Sequence, residues 1–117
     1  MRTYLLLILA GILPVVAAAQ EKPAVVLLTD IGGDSDDEQS LVRLLLHSDQ
    51  LDLKALCATS RLGHGHDTKP GLIHNQVKAY GKIYPNLLLH SKGYPKPEYL
   101  ESVIRDGQGD PVRFGEG

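Results

Sequence analysis

Two hydrophobic periodicities alternate along this chain and divide it into short strands and amphipathic helices. Ala24-Val-Val-Leu-Leu28 is an unbroken apolar run, rich in β-branched residues and too short for a typical helix. It predicts a strand buried on both faces, as in a parallel sheet. Leu41, Leu44 and Leu45 then share one face at the 3.6-residue period, predicting a helix from about Asp36 with Ser35 or Asp34 as N-cap. Leu51 to Thr59 reads as a second strand. Lys69-Pro70 opens a second helix, since proline is tolerated in a first turn, and Ile73, Val77, Tyr80 and Tyr84 form its apolar face. Pro85-Asn86 is expected to end that helix. Leu87-Leu88-Leu89 would be a short third strand leading to His90, and a third helix is expected over about Glu98 to Asp106, with Leu100, Val103 and Ile104 inward. Gly107 to Gly117 is glycine-rich and shows no period.

Successive strand-loop-helix units imply an α/β fold, a parallel sheet with flanking helices in Rossmann-like style and right-handed crossovers. The loops Asp30–Asp37, Ser60–Asp67 and His90–Pro97 would all lie at the carboxyl ends of strands. Ligands of open α/β sheets bind along that edge. Arg61, His64, His66, Asp67, His90 and Tyr94 would therefore converge on the first loop.

The start of the chain has a different purpose. Arg2, the apolar stretch Tyr4 to Val16 and the small residues Ala17-Ala18-Ala19 have the order of a cleavable export signal over residues 1–19. Gly11 and Pro14 interrupt the stretch, which is short for a membrane span. An exported protein, periplasmic or secreted, is expected, with no membrane attachment after cleavage. Residues 20–117 are one small domain at most. FGEG stops in mid-loop after few strands, which reads as the N-terminal part of a longer, truncated domain.

Charge narrows the partners. The chain has 12 basic and 14 acidic side chains, and loss of Arg2 makes it one unit more negative still. That argues against nucleic acid or an anionic membrane as a partner through bulk electrostatics. The single cysteine, Cys57, cannot form an internal disulfide and reads as a small buried hydrophobe.

The chemistry concentrates in the first loop. Asp30, Asp34, Asp36 and Asp37 fall within eight positions, interrupted by Gly32-Gly33. Carboxylates so close repel, and some would take up protons unless a positive charge offsets them. A helix N-terminus contributes about 1 kcal/mol at most here, too little for four charges. A hard divalent cation with oxygen ligands is the natural inference, Ca²⁺ ahead of Mg²⁺. Familiar acidic and phosphate loops fit poorly. An EF-hand counted from Asp30 places Leu41 where a bidentate Glu is required, and no P-loop run exists. His64-Gly65-His66 suits softer metals than this turn would hold.

TDIGGDSDDEQSLVRLLL resembles the opening motif of a nucleoside hydrolase-like domain of bacterial secreted proteins, sometimes labelled cellulose-binding. That domain is related to the inosine-uridine nucleoside hydrolases, whose apolar strand leads into a D-x-D-P-G-x-D-D turn. The resemblance continues through LKALCATSRLGHGH, KAYGKIYPNLLLHSKGYP and FGEG. Two departures stand out: the first Asp of the pattern is Leu28 or Thr29 here, and the glycine turn is about two residues longer.

The resemblance implies a metal-dependent N-glycoside hydrolase. Asp30 matches the general-base and metal-ligand position, Asp37 the second metal ligand, and Asp36 a sugar-hydroxyl contact. Asp34 then has no counterpart and remains a further candidate metal ligand. Aligned without the gap, Asp34 would replace Asp36 and Ser35 would replace Asp37. Gly63-His64 matches a ribose-binding Gly-Asn, making His64, with Arg61, a candidate substrate contact. The partner would be a nucleoside or another sugar-containing small molecule. The alternative is a non-catalytic module that holds a polysaccharide in the same pocket. Composition gives that alternative little support, because carbohydrate platforms use flat aromatics and this chain has no Trp, one Phe and five Tyr. On either reading this chain alone is expected to turn over little substrate.

Overall fold

The structure, a computed structural model, describes residues 21–60 and 67–107. The expected leader, and Arg61, His64 and His66, lie outside the described residues. The elements run β1 (Ala24–Thr29), α1 (Ser35–Leu46), a single 3-10 turn (Ser48–Gln50), β2 (Asp52–Ala58), α2 (Pro70–His90), α3 (Pro97–Ser102) and β3 (Ile104–Asp106). The strands form one parallel sheet in the order β1-β2-β3. The α/β class expected from the alternating periods is what the chain adopts.

β1 and β2 pair with a register shift between Val25 and Val26: Val25 lies opposite Leu53, and Val26 opposite Ala55. The extra residue, Lys54, is exposed. This bulge lets Leu53 and Leu56 both face the core, although an odd spacing in a regular strand would put them on opposite faces. Both are fully buried, together with Ala58. Leu27, Leu56 and Ile104 are aligned across the strands on the core side. Against them pack Leu41 and Leu45 of α1, Ile73, Val77 and Tyr80 of α2, and Leu100 of α3.

The other face of β1 corrects the expectation of two-sided burial. Val26 is 60% exposed and Leu28 68% exposed. Along β1, exposed and half-buried residues alternate. The apolar run was compatible with burial on both faces, but the core of the described residues lies on one.

α2 brings a second correction. It runs 21 residues to His90 and carries Pro85 in its interior, so the strand expected over Leu87–Leu89 is helix. Proline in a helix removes one hydrogen bond and crowds the carbonyl four residues back, at about 3 kcal/mol. Here that carbonyl belongs to Gly81. Packing outweighs the penalty, because Ile73, Val77, Tyr80, Tyr84 and Leu87 continue one stripe with spacings of four and three. Tyr84 and Leu87 both lie against the core.

The third strand is instead β3, and the helix expected to reach Asp106 stops at Ser102. Leu100, Val103 and Ile104 do face inward, buried as expected, but from a short helix and the strand after it. The sequence Val103-Ile104 is β-branched and suits that change.

α2 begins at the carboxyl ends of the strands and, at 21 residues, spans about 31 Å. Its end and the loop after it therefore lie at the amino ends. There Tyr94 donates to the Leu46 carbonyl (3.0 Å), Tyr80 to that of Pro95 (2.8 Å) and Tyr99 to that of Leu53 (2.8 Å). His90 and Tyr94 are consequently on the opposite edge from the acidic loop, which removes them from the expected convergence. Among the described residues no helix is long and apolar enough to cross a membrane.

Candidate functional site

The loop after β1 is built by local rules. The Gly33 amide donates to the Asp30 carbonyl at 3.0 Å, closing a turn in which Gly32 has a φ of 83°. That is the φ required at the third position of a type II turn, where glycine is favoured. A Cβ on Gly32 would stand 2.7 Å from Leu72 Cδ1, the end of a side chain that can shift, so it is the backbone φ that calls for glycine. Ile31, 2% exposed, pins the turn to the core.

The acids separate by role. Asp34 is the N-cap of α1 and forms a capping box with Asp37. Asp37 Oδ2 accepts from the N-cap amide of Asp34 (2.9 Å), a donor that a helix start would otherwise leave open, and shares the Gly33 amide (3.1 Å) with the Asp30 carbonyl. Asp36 and Asp37 lie in the first turn, where the helix dipole favours negative charge. Asp30, Asp34 and Asp36 are exposed, whereas Asp37 is half-buried.

Asp30 and Asp37 line one cleft of about 380 Å³, together with Thr29 of β1 and Ser40, Leu41 and Leu44 of α1. The cleft is mostly apolar with two carboxylates in its lining, within the usual size of a small-ligand site. Asp34 and Asp36 do not line it. Among the described residues no three His, Cys, Asp or Glu side chains are grouped to hold one metal ion. Two carboxylates on a shared cleft still suit a hard cation in kind. They supply a minority of the six to eight oxygens that Ca²⁺ takes.

The same edge holds groups that the sequence reading missed. Lys69 Nζ lies 3.4 Å from the Gly32 carbonyl and 3.7 Å from the Asp67 carboxylate. Asp106, placed in a helix by its sequence neighbourhood, instead ends β3 and accepts a hydrogen bond from Thr68 Oγ1. The signal available was the pair Val103-Ile104, whose β-branching favours a strand with Asp106 at its end. Gly107 continues the ladder by donating to Ala58 O at 2.8 Å, and a Cβ there would be 2.5 Å from that oxygen.

Residues 24–116 match the family described as "Cellulose-binding Sde182, nucleoside hydrolase-like domain". The chain belongs to this family. A solved nucleoside hydrolase-like relative, described as a nucleoside hydrolase-related hypothetical protein from Saccharophagus degradans associated with carbohydrate metabolism, is 36% identical with a TM-score of 0.68. The match covers 74% of this chain and 21% of that one, so the chain spans about a fifth of the relative's length. No protein of curated function matches. The nucleoside hydrolase-like fold is thus that of the family to which the acidic turn belongs.

Proposed function

We propose that the cleft where β1 ends is the sugar-binding part of an N-glycoside hydrolase site, with a Ca²⁺-assisted carboxylate pair in its lining. One observation carries the reading: Asp30 and Asp37, brought together by the glycine turn, line the same cleft. Asp30 would offer its exposed carboxylate, and Asp37 its Oδ1, since Oδ2 already holds two amides. A bound Ca²⁺ would supply the charge that offsets these acids and acidifies a nearby water.

The protein's own share of the chemistry then follows. Asp30 accepts a proton from the attacking water as its oxygen bonds to the anomeric carbon and the glycosidic bond breaks toward the leaving base. Asp36, at the start of α1, would receive sugar hydroxyls that approach over the first turn. Arg61 and His64, outside the described residues, remain candidate substrate contacts. The departing base needs a proton from a donor that this set does not include. Positioned groups act as a unit, so a partial set loses far more than its share of the rate.

A second reading, carbohydrate binding without cleavage, is favoured by the capping box. Asp37 has a complete structural role without any metal, and the family description includes cellulose binding. Ribose binding with and without Ca²⁺, followed by release of nitrophenol from a nitrophenyl riboside, separates the readings. The hydrolase reading expects Ca²⁺-dependent sugar binding that Asp30→Asn abolishes, with little turnover by this chain. Rapid turnover lost in Asp30→Ala would place the whole reaction in these residues. Sugar binding indifferent to both Ca²⁺ and Asp30 would leave only the binding module.

A further inference from the structure

The carboxyl edge has a second polar station, and a single dipeptide ties it to the first. Thr68 donates to Asp106 Oδ1 at the end of β3, while the adjacent Lys69 reaches the Gly32 carbonyl in the turn after β1. Thr68-Lys69 therefore crosses the end of β2 and holds both stations in one frame. Register gives their separation. Thr29 and Asp106 both pair with Ala58, so they stand two strand spacings apart, about 10 Å.

Their chemistry is complementary. Thr68 occupies Oδ1 of Asp106 and leaves Oδ2 as an acceptor, on a residue exposed to solvent. Lys69, also exposed, is a donor, engaged at 3.4 Å with Gly32 and at 3.7 Å with Asp67. Lys69, held at the Gly32 carbonyl beside the cleft, and Asp106, about 10 Å along the edge from Thr29, offer a donor and an acceptor in line for a second ring joined to the first sugar.

We propose that Asp106 and Lys69 form a subsite for the ring attached to the anchored sugar. Asp106 accepts O–H or N–H groups of that ring, and Lys69 donates to its oxygen. Thr68 acts as a positioning residue by fixing the Asp106 carboxylate. The shared ligand chemistry is a donor-bearing ring, which a second sugar or a nucleobase supplies. The proposal rests on the sugar reading of the Asp30–Asp37 cleft and extends it across the sheet edge.

The test titrates the full chain, with Ca²⁺ present, against two ligand pairs: glucose with cellobiose, and ribose with inosine. In one pair at least, the two-ring ligand should bind about tenfold tighter, a difference of about 1.4 kcal/mol. Asp106→Asn, which can still accept from Thr68, should erase that advantage and leave the one-ring ligand unchanged. Thr68→Val should reduce the advantage and Thr68→Ser should retain it. Asp30→Asn should weaken one-ring and two-ring ligands alike. The pair that shows the effect tells whether the second ring is a sugar or a base. A two-ring advantage that survives Asp106→Asn, or none in the wild-type chain, would overturn the subsite while one-ring binding upheld the cleft. Binding of none of the four would overturn both.

Discussion

Gly32 is the residue on which the site's geometry depends. Any side chain there meets both an unfavourable φ of 83° and the Leu72 methyl group at 2.7 Å. Gly32→Ala is therefore expected to lower stability by about 1–3 kcal/mol, read as a drop in melting temperature. Burial acts on Tyr80 in a different way. It pushes the phenol up to about 12 from an ordinary 10.0, and the hydroxyl donates to the Pro95 carbonyl. The folded state keeps this proton to higher pH than the unfolded chain does. Its contribution is then complete below pH 10 and is lost as pH rises toward 12. Melting curves of wild type and Tyr80→Phe at pH 8 and pH 11 should show the wild-type advantage shrinking at the higher pH. An advantage that grew would contradict the burial of the neutral phenol. Asp34 and Asp37 carry a similar lesson. Their spacing marks a helix start as well as a cation site, and a sequence does not tell how a carboxylate's two oxygens are divided.

At the scale of elements, β1, α1 and β2 were legible because their periods are unmixed and the turn residues between them have one use. α2 was misread at Pro85. The proline's local penalty is visible in sequence, while the stripe through Tyr84 and Leu87 that outweighs it depends on a core assembled from distant residues. Ending the helix at Pro85 also puts the third strand at Leu87–Leu89 and His90 and Tyr94 on the wrong edge. Asp106 escapes the sequence pattern because the helical spacing of Leu100, Val103 and Ile104 runs on through β3. Pro85→Ala restores a backbone donor and relieves the crowding at Gly81, so it should stabilise α2. The expected gain is about 1–3 kcal/mol, less what the unfolded chain gains in freedom. Thermal melting followed by far-ultraviolet circular dichroism reads it. A loss of stability would mean that the packing requires the proline.

At the scale of the whole molecule, the described residues form a sheet with its core on one face and its polar groups along the carboxyl edge. The bare face of β1, with Val26 and Leu28 exposed, could not be foreseen from an apolar run that fits burial on one face or two. The family's nucleoside hydrolase-like character agrees with a ligand edge at the strand ends, where Asp30 and Asp37 share a cleft. The hard cation proposed for this cleft has a direct thermodynamic signature. Calcium titration followed by thermal melting tests it most directly, in wild type, Asp30→Asn and Asp49→Asn. Asp30 is exposed and Asp49 is tied to Gln50 at the far edge, so neither change should disturb the core. At a hundredfold excess over its dissociation constant, Ca²⁺ should stabilise the wild-type chain by roughly 2.7 kcal/mol. Asp49→Asn should keep that gain and Asp30→Asn should lose most of it. Equal calcium shifts in all three chains, or none in the wild type, would contradict the account.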